Sequence, residues 1–142
     1  MNARTGQVCH VAIVGGGTAG WMAAAALGRA FTRPSGLALK ITLIESEVLA
    51  AMERDAGVIL PPEETRRNVV TTGVPLAHLV GREFRLGDIV LVGGRLNVPC
   101  RYLEDLNDRP GAFNALVNRS GLNARIVVGG TLRVGDRIEP IR

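Results

Sequence analysis

The sequence predicts a mixed α+β protein in which a βαβ unit precedes a small barrel of short strands. An apolar run that ends in glycines opens the chain, and an alanine-rich segment of helical composition follows it. Several short strand patterns, broken by Gly-Asp and Gly-Gly turns, occupy the second half. Because the chain has 142 residues, we expect one hydrophobic core and at most one site.

Composition and cysteine usage predict a soluble cytoplasmic protein. The longest apolar windows are interrupted by glycine, which argues against a membrane span. Cys9 and Cys100 lie in different sequence patterns, so no disulfide is predicted and a reducing compartment fits. His10 and His78 have no partner at metal-ligand spacing, so we expect no zinc site.

The charge balance favours small anionic ligands over nucleic acid. The net charge is +4, and every basic residue except Lys40 is arginine. Genome composition alone produces such a bias, but the arginine fork also suits two-point contacts to phosphate and other planar anions. Aromatic residues make up only 4% of the chain and are not interleaved with a basic stripe, so nucleic-acid binding is not expected.

The first segment, residues 1–45, has the pattern of a Rossmann-like βαβ unit. Residues 7–15, QVCHVAIVG, form an apolar β-rich run typical of a buried parallel strand. The alanine-rich stretch predicts a helix over about 18–31, and LKITLIE over 39–45 predicts the second strand.

Within this unit, Gly15, Gly17 and Gly20 match the G-x-G-x-x-G spacing of dinucleotide-binding turns. In that geometry backbone N–H groups and the helix N-terminus approach a pyrophosphate. Glu45, at the end of the second strand, is placed to accept a hydrogen bond from a ribose hydroxyl. The glycines could equally serve only a tight strand-to-helix connection, and both interpretations stay open.

The segment GGGTAGWMAAAAL resembles the N-terminus of flavin-dependent tryptophan halogenases, which implies FAD as a cofactor. The resemblance ends near residue 47. Halogenases of this type have a catalytic lysine and a tryptophan-rich motif further along, whereas Lys40 lies in a predicted strand and Trp21 is the only tryptophan here. Halogenation is therefore not expected.

The second segment, residues 46–142, predicts one helix and then the barrel strands. A helix over about 46–56 has apolar residues spaced to face a core, and Gly57 ends it. Strands are predicted for RNVVTTG, FRLGDIVLVGGRLNV, ARIVVGG and TLRVGDRIEPI. Between them RYLEDLNDRPGAFNALVNRSG predicts two short helices, separated at residues 108–111.

An ordered set of motifs over residues 41–142 resembles the C-terminal part of a MOSC domain, the molybdenum-cofactor sulfurase module. The matching pieces are RRNVVT, GVPL, LVGREFRLG, PCRYLEDL, RPG, LVNRSGL and GGTLRVGD. The resemblance implies a β-barrel whose cysteine, Cys100 here, carries sulfur as a persulfide or contacts molybdenum in molybdopterin. It also implies a cofactor pocket at Arg66, Arg67 and Asn68, with Arg101 nearby. The family's N-terminal barrel strands have no counterpart, so an incomplete barrel is expected.

Local chemistry supports the same assignment of Cys100. It follows Pro99 and begins a predicted helix beside Arg101, and both a helix N-terminus and a guanidinium favour a thiolate. A thiolate accepts sulfane sulfur and is preferred by soft metals. Arg66 and Arg67 suit a pterin phosphate or molybdate. The alternative for Cys100 is that it is a small buried hydrophobic residue. The alternative for Arg66 and Arg67 is that they lie at a solvated strand end.

Three functional hypotheses follow. The first is a sulfur-transfer or molybdenum-cofactor-binding module, with a sulfur-donor protein and a small-molecule cofactor or sulfur acceptor as partners. The second is a module that binds FAD or an adenine nucleotide. The third is an inactive fusion product, in which the missing barrel strands leave exposed edges that favour aggregation or a homodimer.

Overall fold

The computed structural model describes residues 10–13, 29–31 and 40–141, and strands predominate in them. The strands are β1 His10–Ile13, β2 Arg29–Phe31, β3 Lys40–Glu45, β4 Val69–Thr72, β5 Glu83–Leu86, β6 Ile89–Leu96, β7 Leu122–Val128, β8 Gly130–Leu132 and β9 Ile138–Pro140. The α-helices are α1 Ser46–Ala56, α2 Arg101–Asn107 and α3 Ala112–Ala115. Two 3-10 turns, Pro62–Glu64 and Leu76–Leu79, complete the elements of the described part.

Seven strands form one sheet in the order β1-β4-β3-β7-β6-β5-β9, and β2 pairs with β8 separately. Strands β5, β6 and β7 are joined by antiparallel pairing, and β7 pairs antiparallel with β3. The sheet curls into an open half-barrel, so the predicted mixed class and incomplete barrel are confirmed.

Alternation along the strands builds the main core on one face of the sheet. Ile41 and Leu43 on β3, Phe84 on β5, Leu91 on β6 and Leu122 on β7 are all fully buried there. Their neighbours in sequence point to the other face, as the two-residue period of a strand requires. This core holds together the central strands whose ends carry the polar residues described below.

The helices cover part of the second face. Ile44 and Val70 of the sheet pack with Met52 of α1, Leu103 of α2 and Leu116 after α3. Helix α1 ends as predicted at residue 57, where the glycine adopts a left-handed φ of 65° and its N–H donates to the Glu53 carbonyl oxygen at 2.9 Å. The helices therefore cover the sheet at the β3 and β4 side.

Two features of the described residues differ from the predicted Rossmann-like βαβ unit. Strand β1 pairs antiparallel with β4, and β4 runs parallel to β3, so β1 and β3 run in opposite directions. A βαβ unit needs two parallel strands. In addition, residues 29–31 end the predicted helix but form β2, because their backbone groups pair with β8 and this long-range pairing overrides local helix propensity.

The turn residues Gly15, Gly17 and Gly20 lie outside the described residues, as do Cys9 and Trp21. Within the described ranges, none of the helices has the length and apolar character needed to cross a membrane.

Candidate functional site

Cys100 lies at the start of helix α2, in extended backbone with φ −128° and ψ 134°. It follows the short 97–99 connection from β6, and its carbonyl oxygen accepts the Leu103 N–H at 3.0 Å, which starts the helix. The thiol is free and the residue is exposed. The sulfur atom of Cys100 is therefore reachable from solvent.

A cleft of about 160 Å³ opens beside this cysteine. It is lined by Arg66, Arg67, Val98, Cys100, Tyr102 and Leu103. The cysteine and the two arginines that the MOSC resemblance places in one pocket are thus brought together, from chain segments more than thirty positions apart.

Arg67 is half-buried and anchored by a serine rather than by a carboxylate. Its Nε donates to the Ser120 carbonyl oxygen at 3.1 Å, and its Nη2 donates to Ser120 Oγ at 2.7 Å. Burial lowers the pKa of the Arg67 guanidinium below its ordinary value, with no opposing charge to offset it.

None of the acidic side chains of the protein forms an ion pair with Arg67. All thirteen Asp and Glu residues lie between positions 45 and 139, inside the described part of the chain. The four ion pairs found there join Arg54 and Arg119 to Asp55, Arg109 to Glu64, and Arg133 to Asp88. A desolvated cation without a carboxylate partner is costly, and an anion that bound beside Arg67 would offset this cost.

Arg66 has an uncommon backbone conformation. Its φ is 56°, in the left-handed region that non-glycine residues rarely adopt. Its guanidinium carbon lies 5.6 Å from the centre of the Tyr102 ring, which is within cation–π range. Strained backbone of this kind concentrates at binding sites, where the surrounding structure holds it in place.

Two other predicted pocket residues point elsewhere. Asn68 Oδ1 accepts the backbone N–H of Thr42 at 2.9 Å and its hydroxyl at 3.1 Å, so the side chain fastens β3 to the start of β4. Arg101 is exposed, and its guanidinium carbon lies 5.1 Å from the ring centre of Phe113. Neither residue lines the cleft of Cys100.

Glu45 belongs to a different cavity. Its Oε1 accepts the Leu76 N–H at 3.1 Å, and burial raises the pKa of its carboxyl, with the charge of Glu47 adding to the effect. This cavity of about 500 Å³ is lined by Glu45, Glu47, Val48, Ala51, Gly73, Val74, Pro75 and Arg119. The structure does not place Glu45 with Cys100.

Sequence reasoning missed Ser120 and Tyr102 as members of the site. Ser120 is fully buried, and its hydroxyl and carbonyl oxygens orient Arg67 across 53 positions of sequence. Ser120 lies inside the LVNRSGL motif, and this motif is the sequence feature from which its role could have been predicted. Among the described residues, the Asn97 Nδ2 group is buried without a hydrogen-bond partner, just before Val98 of the cleft.

No group of three His, Cys, Asp or Glu side chains in the described ranges is arranged to hold a metal ion. Cys100 is the one free thiol in the described part of the chain.

The match to a protein-family model covers only the first part of the chain. A family model described as tryptophan halogenase matches residues 10–59. These residues include β3 and α1, and end before any residue of the Cys100 cleft. Among curated proteins, no sequence matches the chain.

Solved structures match most of the chain. YiiM from Geobacillus stearothermophilus is 16% identical, with a TM-score of 0.64, and the match covers 81% of this chain and 71% of that one. YiiM from Escherichia coli is 14% identical, with a TM-score of 0.58, and the match covers 81% of this chain and 68% of that one. The YuaD protein from Bacillus subtilis is 21% identical, with a TM-score of 0.62, over 70% of this chain.

The likeness to YiiM, a MOSC-domain protein, shows a MOSC-like fold. The match covers 62% of the YuaD chain, so this protein spans less than two thirds of that relative. At these identities the comparison shows the fold alone.

Proposed function

We propose that the protein is a MOSC-like module in which Cys100 carries sulfur for, or ligates, a molybdenum cofactor. The observation that supports this most is the shared cleft of an exposed thiol and a half-buried arginine without a carboxylate partner. The thiol is the soft nucleophile, and the guanidinium attracts the anionic group of the sulfur donor, sulfur acceptor or cofactor that reaches the thiol.

The cleft residues fit one end of such a cofactor. Arg67 uses two of its N–H groups on Ser120, and the remaining N–H groups of the guanidinium suit a phosphate or an oxyanion. At about 160 Å³ the cleft is smaller than the roughly 300–1,000 Å³ of pockets that enclose a whole organic ligand. Arg67 would hold the anionic end, and a bound cofactor would supply a soft metal that prefers thiolate sulfur.

The sulfur-carrying step needs only the thiol and a persulfide donor. The Cys100 thiolate attacks the outer sulfur of a donor R–S–SH, a new S–S bond forms on the cysteine, and the donor's S–S bond breaks. The donor leaves as its thiolate R–S⁻, so electrons and protons balance without a further oxidant. Arg67 and Arg66 would attract an anionic donor or acceptor to the mouth of the cleft.

Sulfur loading after exposure to a small-molecule persulfide tests this proposal. We expect about one cyanolysable sulfur per chain for the native protein, and none for Cys100→Ser. Cys9→Ser is the matched control, since it removes the other thiol and should load like the native chain. Molybdenum and pterin contents are measured on the same samples. Equal sulfur, metal and pterin in the native and Cys100→Ser proteins would contradict the proposal.

A second candidate function is favoured by the tryptophan-halogenase match over residues 10–59. In this view Gly15, Gly17 and Gly20, with Glu45, bind FAD or another adenine nucleotide. It predicts yellow protein, or a thermal shift with ADP that is lost on Gly17→Val. Colourless protein with no ADP-dependent shift removes this candidate.

The remaining alternative is a fusion product without activity. The terminal strands of its seven-stranded sheet in the described part, β1 and β9, could then pair with a second copy. Cooperative unfolding at a midpoint that does not change with protein concentration argues against it. Broad, non-cooperative unfolding, together with negative sulfur and nucleotide tests, supports it.

A further inference from the structure

A second basic site lies on the sheet, away from the residues assigned to sulfur chemistry. A cavity of about 440 Å³ is lined by Lys40, Gly94, Arg95, Asn123, Ala124 and Arg125. It spans three neighbouring strands, β3, β7 and β6, and shares no lining residue with the Cys100 cleft. Its three charged side chains are all cations.

Two of these cations are placed directly opposite each other. Lys40 on β3 and Arg125 on β7 are register partners in an antiparallel pair, so their side chains project from the same face at adjacent positions. Like charges in this arrangement lower the stability of a sheet. A local conflict of this kind is typical of positions that are kept for binding.

The third cation reaches this face because of a β-bulge. Along β6 the odd-numbered residues Ile89 and Leu91 face the main core, and simple alternation would turn Arg95 towards that core as well. A register shift between Gly93 and Arg95 makes Arg95 the partner of Asn123 on the opposite face. Bulges re-aim side chains in this way near binding sites.

Gly94 is the inserted residue of the bulge, and it leaves the cavity open. A methyl group at this position would approach the Asn123 carbonyl oxygen to 3.0 Å. The bulge thus brings an arginine to the cavity and removes a side chain from its floor.

Carboxylates do not neutralise this site. None of the thirteen acidic side chains, all of which lie in the described part, forms an ion pair with Lys40, Arg95 or Arg125. The nearest acidic position in that row of the sheet is Glu83, which is separated from Arg125 by Val92 of β6. Two strand spacings amount to about 9–10 Å, too far for an ion pair.

We propose that this cavity binds a small, multiply charged phosphate compound. Two guanidinium forks, one ammonium group and the Asn123 amide offer several donors to phosphate oxygens. Among the described residues, the lining contains no aromatic side chain and so offers no platform on which bases of a nucleic acid would stack. The recognised chemistry is therefore a run of linked phosphates, either free or attached to a nucleoside.

Binding of tripolyphosphate and of ATP, each measured by calorimetry and thermal shift at low salt, tests the proposal. We expect both to bind the native protein, and Arg95→Gln and Arg125→Gln to weaken binding by about tenfold or more. Arg82→Gln is the matched control, because it removes one charge from an exposed arginine outside the cavity and should bind like the native chain.

The ligand-free proteins give a second readout. Arg125→Gln removes the repulsion from Lys40, so its melting temperature without ligand should be equal to or higher than that of the native protein, while its ligand-induced shift is lost. Arg95→Lys, which keeps the charge, should retain more of the affinity than Arg95→Gln. A merely structural role for these side chains would produce the opposite order of ligand-free melting temperatures.

Three results would overturn the proposal. These are no binding of either phosphate compound to the native protein, equal weakening by Arg82→Gln, or a single-stranded oligonucleotide that binds where tripolyphosphate does not. Cys100→Ser is included as an independent arm and should bind both compounds normally. Loss of sulfur loading with phosphate binding intact, or the reverse, then tells the two proposals apart.

Discussion

The cleft beside Cys100 and the cavity beside Glu45 differ in how their charged groups are satisfied. The Glu45 cavity is the larger, at about 500 Å³ against about 160 Å³. Yet its polar groups have partners within the chain: Glu45 accepts the Leu76 N–H, and Glu47 accepts the Gly73 N–H at 2.6 Å. In the smaller cleft, the Arg67 guanidinium donates to the neutral oxygens of Ser120, and none of the acidic side chains of the described residues pairs with it.

The difference leads us to expect that unsatisfied charge, rather than volume, indicates the binding site. A carboxylate that accepts a backbone N–H serves the fold, since it holds the turn after β4 against the end of β3. A half-buried guanidinium without an opposite charge contributes less to stability than a paired one and is ready for an external anion. We therefore propose that binding takes place at the cleft and that the larger cavity has a mainly structural role.

The largest expected effect comes from obstructing the backbone turn after Ser120, the residue that orients Arg67. Gly121 follows Ser120, has φ 88°, and its carbonyl oxygen accepts the Asn97 N–H at 2.7 Å. A methyl group there would collide with the Leu43 carbonyl oxygen. We expect Gly121→Ala to lower the free energy of unfolding by about 3 kcal/mol or more, measured by urea denaturation.

The matched control for that variant is Gly135→Ala. Gly135 has a similar φ of 92°, but a methyl group there has no atom within 4 Å. We expect a loss of about 1–2 kcal/mol from the backbone conformation alone. Equal losses in the two variants would mean that the close approach to Leu43 adds nothing to the cost of the substitution at Gly121.

Removal of the serine hydroxyl should have a smaller effect on stability and a clear effect on binding. Ser120→Ala loses the 2.7 Å bond from Arg67 Nη2, a contact to a charged group that contributes about 1.5–3 kcal/mol. The guanidinium then loses its fixed orientation, so affinity for molybdate or phosphate, measured by calorimetry, should fall severalfold. Ser46→Ala, at an exposed serine beside the other cavity, should leave that affinity unchanged.

The smallest expected effect is a gain in stability at the larger cavity. Because burial raises the pKa of Glu45 in the folded protein, its stabilising contribution is present below its ordinary value of 4.5 and is lost as the pH rises through the raised pKa. Glu45→Gln keeps an oxygen for the Leu76 N–H and removes the charge. At pH 7 we expect a rise in the free energy of unfolding of no more than about 1 kcal/mol.

Thermal melts of Glu45→Gln and the native protein between pH 4 and pH 7 measure this difference, which should shrink towards the acidic end. Glu83→Gln, at an exposed carboxylate on β5, serves as the control. A lower melting temperature for Glu45→Gln at neutral pH would show that the carboxylate charge itself is needed, and would bring this cavity back as a binding site.

Local patterns predicted much of the fold. Helix α1 and its end at Gly57 follow from apolar spacing and a left-handed glycine, and the two short helices after Cys100 occur where the sequence predicts them. The hairpin of β5 and β6 follows from the Gly-Asp turn between two alternating runs. These features depend on neighbours within a few positions of sequence.

Long-range pairing explains what the sequence could not predict. The direction of β1 depends on its register with β4, about sixty positions away, and β2 exists because it pairs with β8. In the same way, the resemblance placed Arg67 beside Cys100, but only the folded chain shows that Ser120 orients it and that Arg101 contacts Phe113 instead. A short sequence motif does not specify which distant residues its side chains contact in the folded protein.

The account rests on Cys100 and Arg67 acting on the same anion. Alkylation rates of the single thiol in a Cys9→Ser background, with anionic iodoacetate and with neutral iodoacetamide, measure this directly. Arg67→Gln is compared with the background protein, and Arg82→Gln serves as the control for net charge. We predict that the iodoacetate-to-iodoacetamide rate ratio falls severalfold in Arg67→Gln and stays unchanged in Arg82→Gln. The same ratio in all three proteins would contradict the account.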